Sequence, residues 1–300
     1  MELYQLRYFF AVAELENFTR AAESCNVSQP SLSQQILNLE SELGHKLFHR
    51  LGRRAVLTEA GTALRERTRR ILSEVDDATK EIRDNPKLER KITVGAINTL
   101  APYLLPPLLA LCRKRYPHIQ IDVREDFLAD LSHGVLEGEL DFAIVTLPVK
   151  DHRLSVEPLF SETLLLVVGK THPLASKKTV TVRDLADETF ALLGTSSSLS
   201  GQIQQFCGAN DIEPKIGYRC AQISTVKALV ALGFGITILP QVTVGAEDRS
   251  TLICRSLADR SPTREIGVIR HMQRYQSRGV EQVLTLLREH TKKPTVVAAN

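Results

Sequence analysis

Apolar residues recur at helical spacing in three short segments at the start of the chain. In the third segment, the apolar residues of the range 32–43 follow one another at spacings of four, three and four, which is typical of a helix face packed on a core. Ser28 suits the N-cap of this helix, and Pro30 suits its first turn. Three short helices with a tight turn before the last are the plan of a helix-turn-helix domain, which we expect within residues 1–58.

Polar side chains of the third helix lie off this apolar face. Gln and Asn can bond adenine through two hydrogen bonds, and Ser can bond a base or a phosphate, so these residue types suit a helix in the major groove. An ordinary amphipathic surface helix with a good cap would carry the same residues, and this segment alone does not separate the two interpretations. The candidate DNA-binding residues of this helix are Ser28, Gln29, Pro30, Ser31, Ser33, Gln34 and Asn38.

A short basic hairpin is predicted after the third helix, at residues 48–58, with a glycine at its tip. Its arginines, Arg50, Arg53 and Arg54, are candidate contacts to the DNA backbone. Residues 46–70 carry eight Lys or Arg against two Glu, and this local excess favours DNA binding by the preceding helix. The net charge of +3 for the whole chain argues against a protein that coats polyanions in general.

A long helix is predicted over residues 59–84, which contain no proline. Its apolar seam alternates spacings of four and three, as in a coiled coil, over Leu64, Thr68, Ile71, Val75, Ala78 and Ile82. The seam could instead pack on its own domain, but the charged flanks favour a partner helix. We therefore expect residues 59–88 to be a linker and hinge, with dimerisation through 59–84. A dimer would set two recognition helices about 34 Å apart, in successive major grooves.

The C-terminal two thirds alternate short apolar runs with helical patterns. This alternation predicts βαβ units and a mostly parallel sheet. The series starts again at about residue 162, so we expect two similar α/β lobes, the first from residues 89–161 with 267–300 and the second from residues 162–266. Open α/β folds bind ligands at the carboxyl ends of their strands, which makes the cleft between the lobes the candidate ligand site.

Two groups of polar residues are expected to face that cleft, each at the start of a helix. A helix N-terminus favours an anion, so two opposed polar helix starts predict a small effector and favour one that bears a carboxylate. Simple helix capping is the alternative role for each Ser or Thr. The candidate effector-binding residues are Asn98, Thr99, Ala101, Thr146, Ser196, Ser197 and Ser198.

Composition narrows the remaining classes. The five cysteines are scattered without a C-x-x-C pair, which fits a reducing cytoplasm and argues against a zinc site or a disulfide scaffold. We find neither a secretory leader pattern nor an apolar run of membrane-spanning length. G-x-S-x-G, P-loop and H-E-x-x-H motifs are absent. We therefore expect a cytoplasmic protein that is not an enzyme and has no catalytic residues, metal or cofactor.

The N-terminal motifs resemble those of the LysR-type transcriptional regulators. The match is dense over residues 1–65 and includes Leu6-Arg7-Tyr8-Phe9, Phe18-Thr19-Arg20-Ala21-Ala22, Val27-Ser28-Gln29-Pro30-Ser31-Leu32-Ser33, Leu39-Glu40-Ser41-Glu42-Leu43-Gly44 and Leu57-Thr58-Glu59-Ala60-Gly61. The resemblance implies an α/β protein with an N-terminal winged helix-turn-helix, a long linker helix and a two-lobed, periplasmic-binding-protein-like effector domain. It also implies a homotetramer, built as a dimer of dimers, that controls promoters in response to a small molecule. The expected partners are double-stranded promoter DNA, that effector, further copies of the chain and RNA polymerase, with no membrane.

The lobes most resemble the peroxide-sensing branch of this family, through Thr99-Leu100-Ala101-Pro102-Tyr103-Leu104-Leu105-Pro106 and Phe206-Cys207. In that branch a reactive cysteine lies nine positions before a resolving one. Cys207 matches the second, but Ser198 stands where the first belongs, and Ser197 and Ser200 replace the neighbouring His and Arg. A serine cannot form a sulfenic acid or a disulfide, so we expect a bound effector to control this protein in place of that thiol switch.

Two other functions stay open at this point. One is a thiol-redox regulator that uses Cys207 with another cysteine of the chain. The other, from a different class, is a two-lobed solute-binding protein, against which the predicted winged helix and the lack of a leader both argue.

Overall fold

The computed structural model describes residues 1–51, 54–82 and 90–292, and the chain forms two compact units, Met1–Asp84 and Asn85–Asn300. The elements of the first unit are α1 (Leu3–Leu15), α2 (Phe18–Ser24), α3 (Gln29–Leu43), β1 (Phe48–Leu51), β2 (Arg54–Leu57) and α4 (Glu59–Ile82). The predicted helix-turn-helix, hairpin and long helix are therefore confirmed. Gly52 and Arg53, at the predicted hairpin tip, lie outside the described residues.

Local capping explains where the short helices begin and end. The Asn17 side chain accepts hydrogen bonds from the backbone amides of Thr19 and Arg20 at the start of α2. The Ser28 hydroxyl accepts one from the Ser31 amide at the start of α3, as its N-cap position predicts. Gly44 ends α3 with a φ of 71°, a left-handed conformation in which a glycine avoids the strain of a side chain.

An aromatic cluster joins the hairpin to the helices. The Phe48 ring centroid, on β1, lies 5.4 Å from that of Phe9 and 5.7 Å from that of Phe18. Leu32 and Ile36 of α3 are fully buried in the same core. The β1–β2 hairpin, which we call the wing, and the third helix therefore pack on one core. This packing determines which face of each is exposed.

The first part of α4 packs on α1 within the same chain. Leu64 contacts the core of this unit, and Thr68 is fully buried. The prediction that the whole seam faces a partner helix is therefore wrong for Thr68, which is already buried within its own unit, whereas Leu64 is only partly buried. Farther along α4, Ile71 and Ala78 are exposed.

The second unit contains two cores. Its strands are β3 (Arg90–Ile97), β4 (Ile119–Asp126), β5 (Phe142–Thr146), β6 (Leu154–Gly169), β7 (Thr189–Leu193), β8 (Lys215–Cys220), β9 (Thr237–Pro240), β10 (Leu252–Arg255) and β11 (Thr263–His271). Its helices are α5 (Ala101–Arg115), α6 (Leu128–Glu137), α7 (Pro173–Ser176), α8 (Ser198–Gly208), α9 (Ile223–Ala231) and α10 (Arg278–Thr291). The first core, which we call lobe I, includes residues of β3, β5, α5, α6 and α10, and the second, lobe II, includes residues of β7, β9, α8 and α9.

Two long strands run through both lobes. The main sheet has the order β10-β6-β11-β5-β3-β4, and β9 also pairs with β6. Strand β6 pairs with β11 along most of its length, and its last residues pair with β9 and β10 in lobe II. The proposed division of the lobes at residues 161–162 and 266–267 falls on these two strands.

The predicted parallel pairing holds only for part of the sheet. β3 pairs parallel with β4 and β5, and β7 pairs parallel with β8. The crossing strands β6 and β11 pair antiparallel, because each enters from the opposite lobe. Within residues 1–51, 54–82 and 90–292, no helix combines the length and apolarity needed to cross a bilayer.

Candidate DNA-binding face and effector cavity

The exposed face of α3 carries most of the residues predicted to bind DNA. Those exposed are Ser28, Gln29, Pro30, Ser31, Gln34 and Asn38. Two pairs on this face are hydrogen-bonded: Gln29 Nε2 donates to Ser33 Oγ at 2.9 Å, and Gln34 Nε2 donates to Asn38 Oδ1 at 3.0 Å. The face is therefore a row of amide and hydroxyl groups whose orientations are partly set before any ligand arrives.

Ser33 lies beneath this face, and its prediction as an exposed contact needs correction. Only 9% of the residue is exposed, because position 33 adjoins the apolar stripe that packs on the core. Its hydroxyl accepts the hydrogen bond from the Gln29 amide. Ser33 thus holds Gln29 in place and is covered by it.

Arg54 is the one arginine of the wing whose side chain is described. Arg54 is exposed and forms an ion pair with Glu16, at the end of α1. A surface pair of this kind contributes about 0–1 kcal/mol, so a phosphate can compete for the guanidinium. The side chain of Arg50, like Arg53 as a whole, lies outside the described residues.

Sequence reasoning missed the residue that anchors the wing to α3. Glu40 is only 6% exposed, and its Oε1 accepts the backbone amides of Leu47 at 2.8 Å and Phe48 at 3.3 Å. Its Oε2 lies 3.0 Å from the Lys46 ammonium. The available signal was a carboxylate next to the buried stripe, since a buried charge requires partners.

A cavity of about 340 Å³ lies between the two lobes, where strands β3, β4, β7 and β8 end. Its lining combines strand ends with the first residues of helices, as expected for open α/β folds. The lining residues are Ile97, Asn98, Thr99, Asp126, Phe127, Leu128, Leu193, Gly194, Ser196, Ser197, Ser198, Arg219, Cys220 and Ala221.

Five of the seven predicted effector residues line this cavity: Asn98, Thr99, Ser196, Ser197 and Ser198. Ala101 and Thr146 are not among the lining residues. Ala101 packs in the core of lobe I with 1% of its surface exposed, because the first turn of α5 faces inward. Thr146 is buried at the end of β5, and its hydroxyl has no hydrogen-bond partner in the described structure.

The start of α8, at the cavity wall, has no side-chain cap. Ser197 is 6% exposed and occupies the N-cap position, yet its side chain accepts no capping hydrogen bond. The backbone amides that begin a helix have no acceptor inside the helix, and the helix dipole places partial positive charge there. The start of α8 therefore presents amides and serine hydroxyls to an anion.

Charged residues add to the same wall. Arg219, at the end of β8, lines the cavity, is exposed, and forms no ion pair with any described residue. Asp126 also lines the cavity, and its carboxylate lies 3.1 Å from Arg124, which pairs with Glu139 at 2.7 Å as well. Sequence reasoning missed Arg219 because a single cation at a strand end leaves no periodic signal.

The Thr99 hydroxyl is held from behind by a buried ion pair. Arg264 Nη1 donates to Thr99 Oγ1 at 2.7 Å, and Arg264 Nη2 lies 2.6 Å from Glu162 Oε1. All three residues are at most 4% exposed. Burial lowers the pKa of the Arg264 guanidinium, and the neighbouring Glu162 carboxylate opposes that shift.

The cysteines are free thiols in apolar surroundings. Cys207 is fully buried in α8, and burial raises its pKa to about 11. Cys220 lines the cavity, and burial also raises its pKa. Protonated thiols are poor nucleophiles, so neither cysteine resembles a reactive thiolate. The described residues contain no group of three or more His, Cys, Asp or Glu that could hold a metal ion.

Comparison with known families and proteins agrees with this architecture. Residues 3–62 match the model of the bacterial regulatory helix-turn-helix protein, lysR family, and residues 86–292 match the LysR substrate binding domain. The chain is 34% identical to the DNA-binding transcriptional dual regulator OxyR of Escherichia coli (strain K12) over 273 residues, which cover 90% of this chain and 89% of that protein.

Two variants of OxyR are among the solved structures that match nearly the whole chain. One is a cysteine-to-aspartate variant of full-length OxyR from Pseudomonas aeruginosa, with a TM-score of 0.78, 26% identity and coverage of 99% of this chain and 96% of that one. The other is a cysteine-to-serine variant of Corynebacterium glutamicum OxyR with hydrogen peroxide bound, with a TM-score of 0.67, 30% identity and coverage of 99% and 94%. The chain belongs to the LysR-type transcriptional regulators, as a DNA-binding regulator with an effector-binding domain and with relatives in the peroxide-sensing branch.

Proposed function

We propose that this regulator binds promoter DNA through the exposed face of α3 and the wing, and that a small anionic effector between the lobes controls it. The observation that carries the effector class is the start of α8 at the cavity wall, where the side chain of the N-cap residue Ser197 makes no capping hydrogen bond. Arg219, without an ion-pair partner in the described structure, lines the same cavity. A carboxylate would satisfy both groups.

The DNA-binding side of the proposal rests on residue type and exposure. Gln29, Gln34 and Asn38 are exposed on one face and can hydrogen-bond base edges. Ser28 and Ser31 lie at the helix start, where phosphate contacts are common. Arg54, with Arg50 and Arg53 from the sequence prediction, would contact the DNA backbone from the wing.

Self-association through α4 is part of the proposal. Ile71 and Ala78 are exposed apolar positions of the seam on α4. We propose that these positions meet a second copy and that two dimers form the working tetramer. RNA polymerase is the further partner that this function requires.

The effector acts by shifting a population of conformations. A ligand that binds more tightly to one arrangement of the lobes shifts the protein toward it, by an amount set by the difference in affinity. That shift would alter the spacing of the recognition helices in the assembly and hence the bend of the bound DNA.

Hydrogen peroxide is the competing ligand, because one relative is a cysteine-to-serine variant with peroxide bound. Ser198 stands at the corresponding position of the family pattern. Peroxide could therefore occupy the cavity here without oxidising the residue at that position. The carboxylate proposal is favoured because Arg219 supplies a full positive charge to the cavity wall, which neutral peroxide does not require.

A binding experiment separates these ligands. Full-length protein would be titrated with succinate, with its uncharged diamide and with hydrogen peroxide, and followed by thermal shift and by footprinting on the promoter next to its gene. We expect succinate to raise the melting temperature and change the footprint, and Arg219→Gln to abolish both effects. Arg113→Gln, an exposed arginine on α5, is the matched control. A response to peroxide or to the diamide alone would contradict the proposed effector class.

A further inference from the structure

A buried ion pair connects the wall of the cavity to the turn that follows β9. Arg264 on β11 and Glu162 on β6 stand opposite each other in the strand register, at the crossover between the lobes. Arg264 Nη1 donates to Thr99 Oγ1 at 2.7 Å, and its Nη2 donates to the Thr99 carbonyl oxygen at 3.4 Å. On the other side, Glu162 Oε2 accepts the backbone amide of Val242, in the turn after β9, at 3.3 Å.

We propose that Arg264 and Glu162 are positioning residues of the effector cavity, which fix the Thr99 hydroxyl as a hydrogen-bond donor to the ligand and couple it to the Val242 turn, which follows β9. In this turn Val242 packs against the core of lobe I, and Val244 packs against the core of lobe II. This inference rests on the proposed function in one respect, the role of Thr99 as part of the effector site.

The donor assignment follows from hydrogen-bond chemistry. A guanidinium has only donors, so the Thr99 oxygen must act as the acceptor toward Arg264. The hydroxyl keeps its own hydrogen, which has no acceptor within the described residues and is left for the cavity. A ligand that presents an oxygen acceptor is therefore favoured over one that presents a donor.

The coupling follows from burial. Arg264 is fully buried and Glu162 is 3% exposed, so water cannot replace a lost partner. Low local polarity strengthens each hydrogen bond of such a network and raises the cost of breaking any one of them. A movement of Thr99 must therefore displace Arg264, and through Glu162 it changes the acceptor of the Val242 amide.

A single neutral substitution in the pair would leave one buried charge uncompensated and could unfold the protein. Replacing both charges by apolar residues of similar volume is often neutral for stability, so the double variant Arg264→Met with Glu162→Leu is the informative one. Its matched control is Arg288→Met with Glu157→Leu, which removes a second ion pair that also has its acidic partner on β6.

Amide hydrogen exchange of the full-length protein, without ligand, tests the coupling. We expect the Arg264/Glu162 double variant to exchange at least tenfold faster than wild type in residues 98–104 and 241–244. The Arg288/Glu157 control should leave both segments unchanged. Exchange at the wild-type rate in a folded double variant, or the same acceleration in the Arg288/Glu157 control, would overturn the proposal.

Thr99→Val supplies a test that does not depend on the double variant folding. It removes only the hydroxyl that Arg264 contacts, yet we expect faster exchange at residues 241–244, in the turn after β9, and restoration of the wild-type rate in Thr99→Ser. Unchanged exchange at 241–244 in Thr99→Val would contradict the coupling. Because no ligand is present, this result is independent of whether succinate binds, and the two proposals can fail separately.

Discussion

Glu40 of the recognition helix accepts the backbone amide of Leu47 at 2.8 Å, so α3 itself determines where the wing begins. We expect Glu40→Ala to leave two buried amides without an acceptor and to destabilise the N-terminal unit by about 1–3 kcal/mol. Promoter affinity should fall as well, because the start of the wing is no longer held against α3. Chemical denaturation and a gel shift would measure the two effects.

Glu42→Ala is the control for that variant, since Glu42 is exposed on the same helix and its one ion pair among the described residues is with the amino terminus. Its effect on stability should stay below about 1 kcal/mol. Equal losses in the two variants would show that the Glu40 network does not anchor the wing.

Gln29 is predicted to read a base edge. Gln29→Ala should relax base preference at one operator position and cost about 1–3 kcal/mol of discrimination there. Ser33→Ala should produce part of the same loss, because it removes the acceptor that orients the Gln29 amide. Binding to a randomised operator library would reveal both changes. An unchanged preference in Gln29→Ala would remove Gln29 from the proposed readout.

Arg54 is predicted to contact a phosphate. Arg54→Ala should weaken binding by a similar factor on every sequence and reduce the salt slope by about 1. Arg53→Ala should behave in the same way, as the sequence predicts. Fluorescence anisotropy on a specific and a scrambled duplex, at several salt concentrations, measures both quantities. Glu16→Gln is the complementary variant: freeing Arg54 from its ion pair should strengthen binding slightly, and a weakening would argue against a DNA contact.

Cys207 should resist oxidation. Burial raises its pKa to about 11, so at pH 7 the thiol is protonated and peroxide finds almost no thiolate. Non-reducing mass spectrometry after peroxide treatment should show no disulfide at Cys207, and DNA binding should be unchanged. A peroxide-dependent disulfide between Cys207 and another cysteine would instead support the thiol-redox alternative.

The same shift predicts a pH dependence of stability. Folding raises the pKa of the Cys207 thiol above its ordinary value. The protonated thiol therefore contributes its full share to the free energy of unfolding at neutral pH, and this share is lost as the pH rises toward the folded-state pKa. Cys112 and Cys254 shift in the same direction, also to about 11. Stability should therefore fall as the pH rises from about 9 to about 11. In Cys207→Ala, the fall measured by urea denaturation over this range should be smaller than in wild type.

Ile71 is predicted to face a partner helix. Ile71→Glu should shift the protein toward monomers, because a charge at an apolar seam loses its hydration on association. Ser73→Glu is the control, since two positions along a helix place it on the opposite side. Analytical ultracentrifugation distinguishes the two variants. If Ile71→Glu sediments as wild type does, the seam has another role.

Sequence patterns gave good predictions where the signal is local. Ser28 caps α3 as expected, because a cap depends only on the residues that follow it. Ser33 was misplaced, because it adjoins the apolar stripe and a helical pattern does not resolve the border of the buried face. Thr68 was assigned to a partner, since periodicity marks a buried position without saying which element covers it.

Long-range contacts were beyond that reasoning. Arg264 and Thr99 are 165 positions apart, and neither carries a motif that points to the other. Arg219 reaches the cavity only because β8 ends beside the start of α8. The alternation of apolar runs with helical patterns predicts the two-lobed plan, as does the resemblance to a family, but the partners of each polar group required the three-dimensional structure.

The sharing of β6 and β11 by both lobes has a consequence for how the protein is made. The chain leaves lobe I at β6, builds lobe II, and returns only at β11 and α10, whose Val283 and Leu287 are fully buried in lobe I. When the ribosome has synthesised lobe II, it has therefore not yet synthesised α10, which completes the core of lobe I. The apolar surface of incomplete lobe I stays exposed to aggregation until α10 emerges. Truncations that remove part of α10 should therefore lower solubility before they affect either binding site.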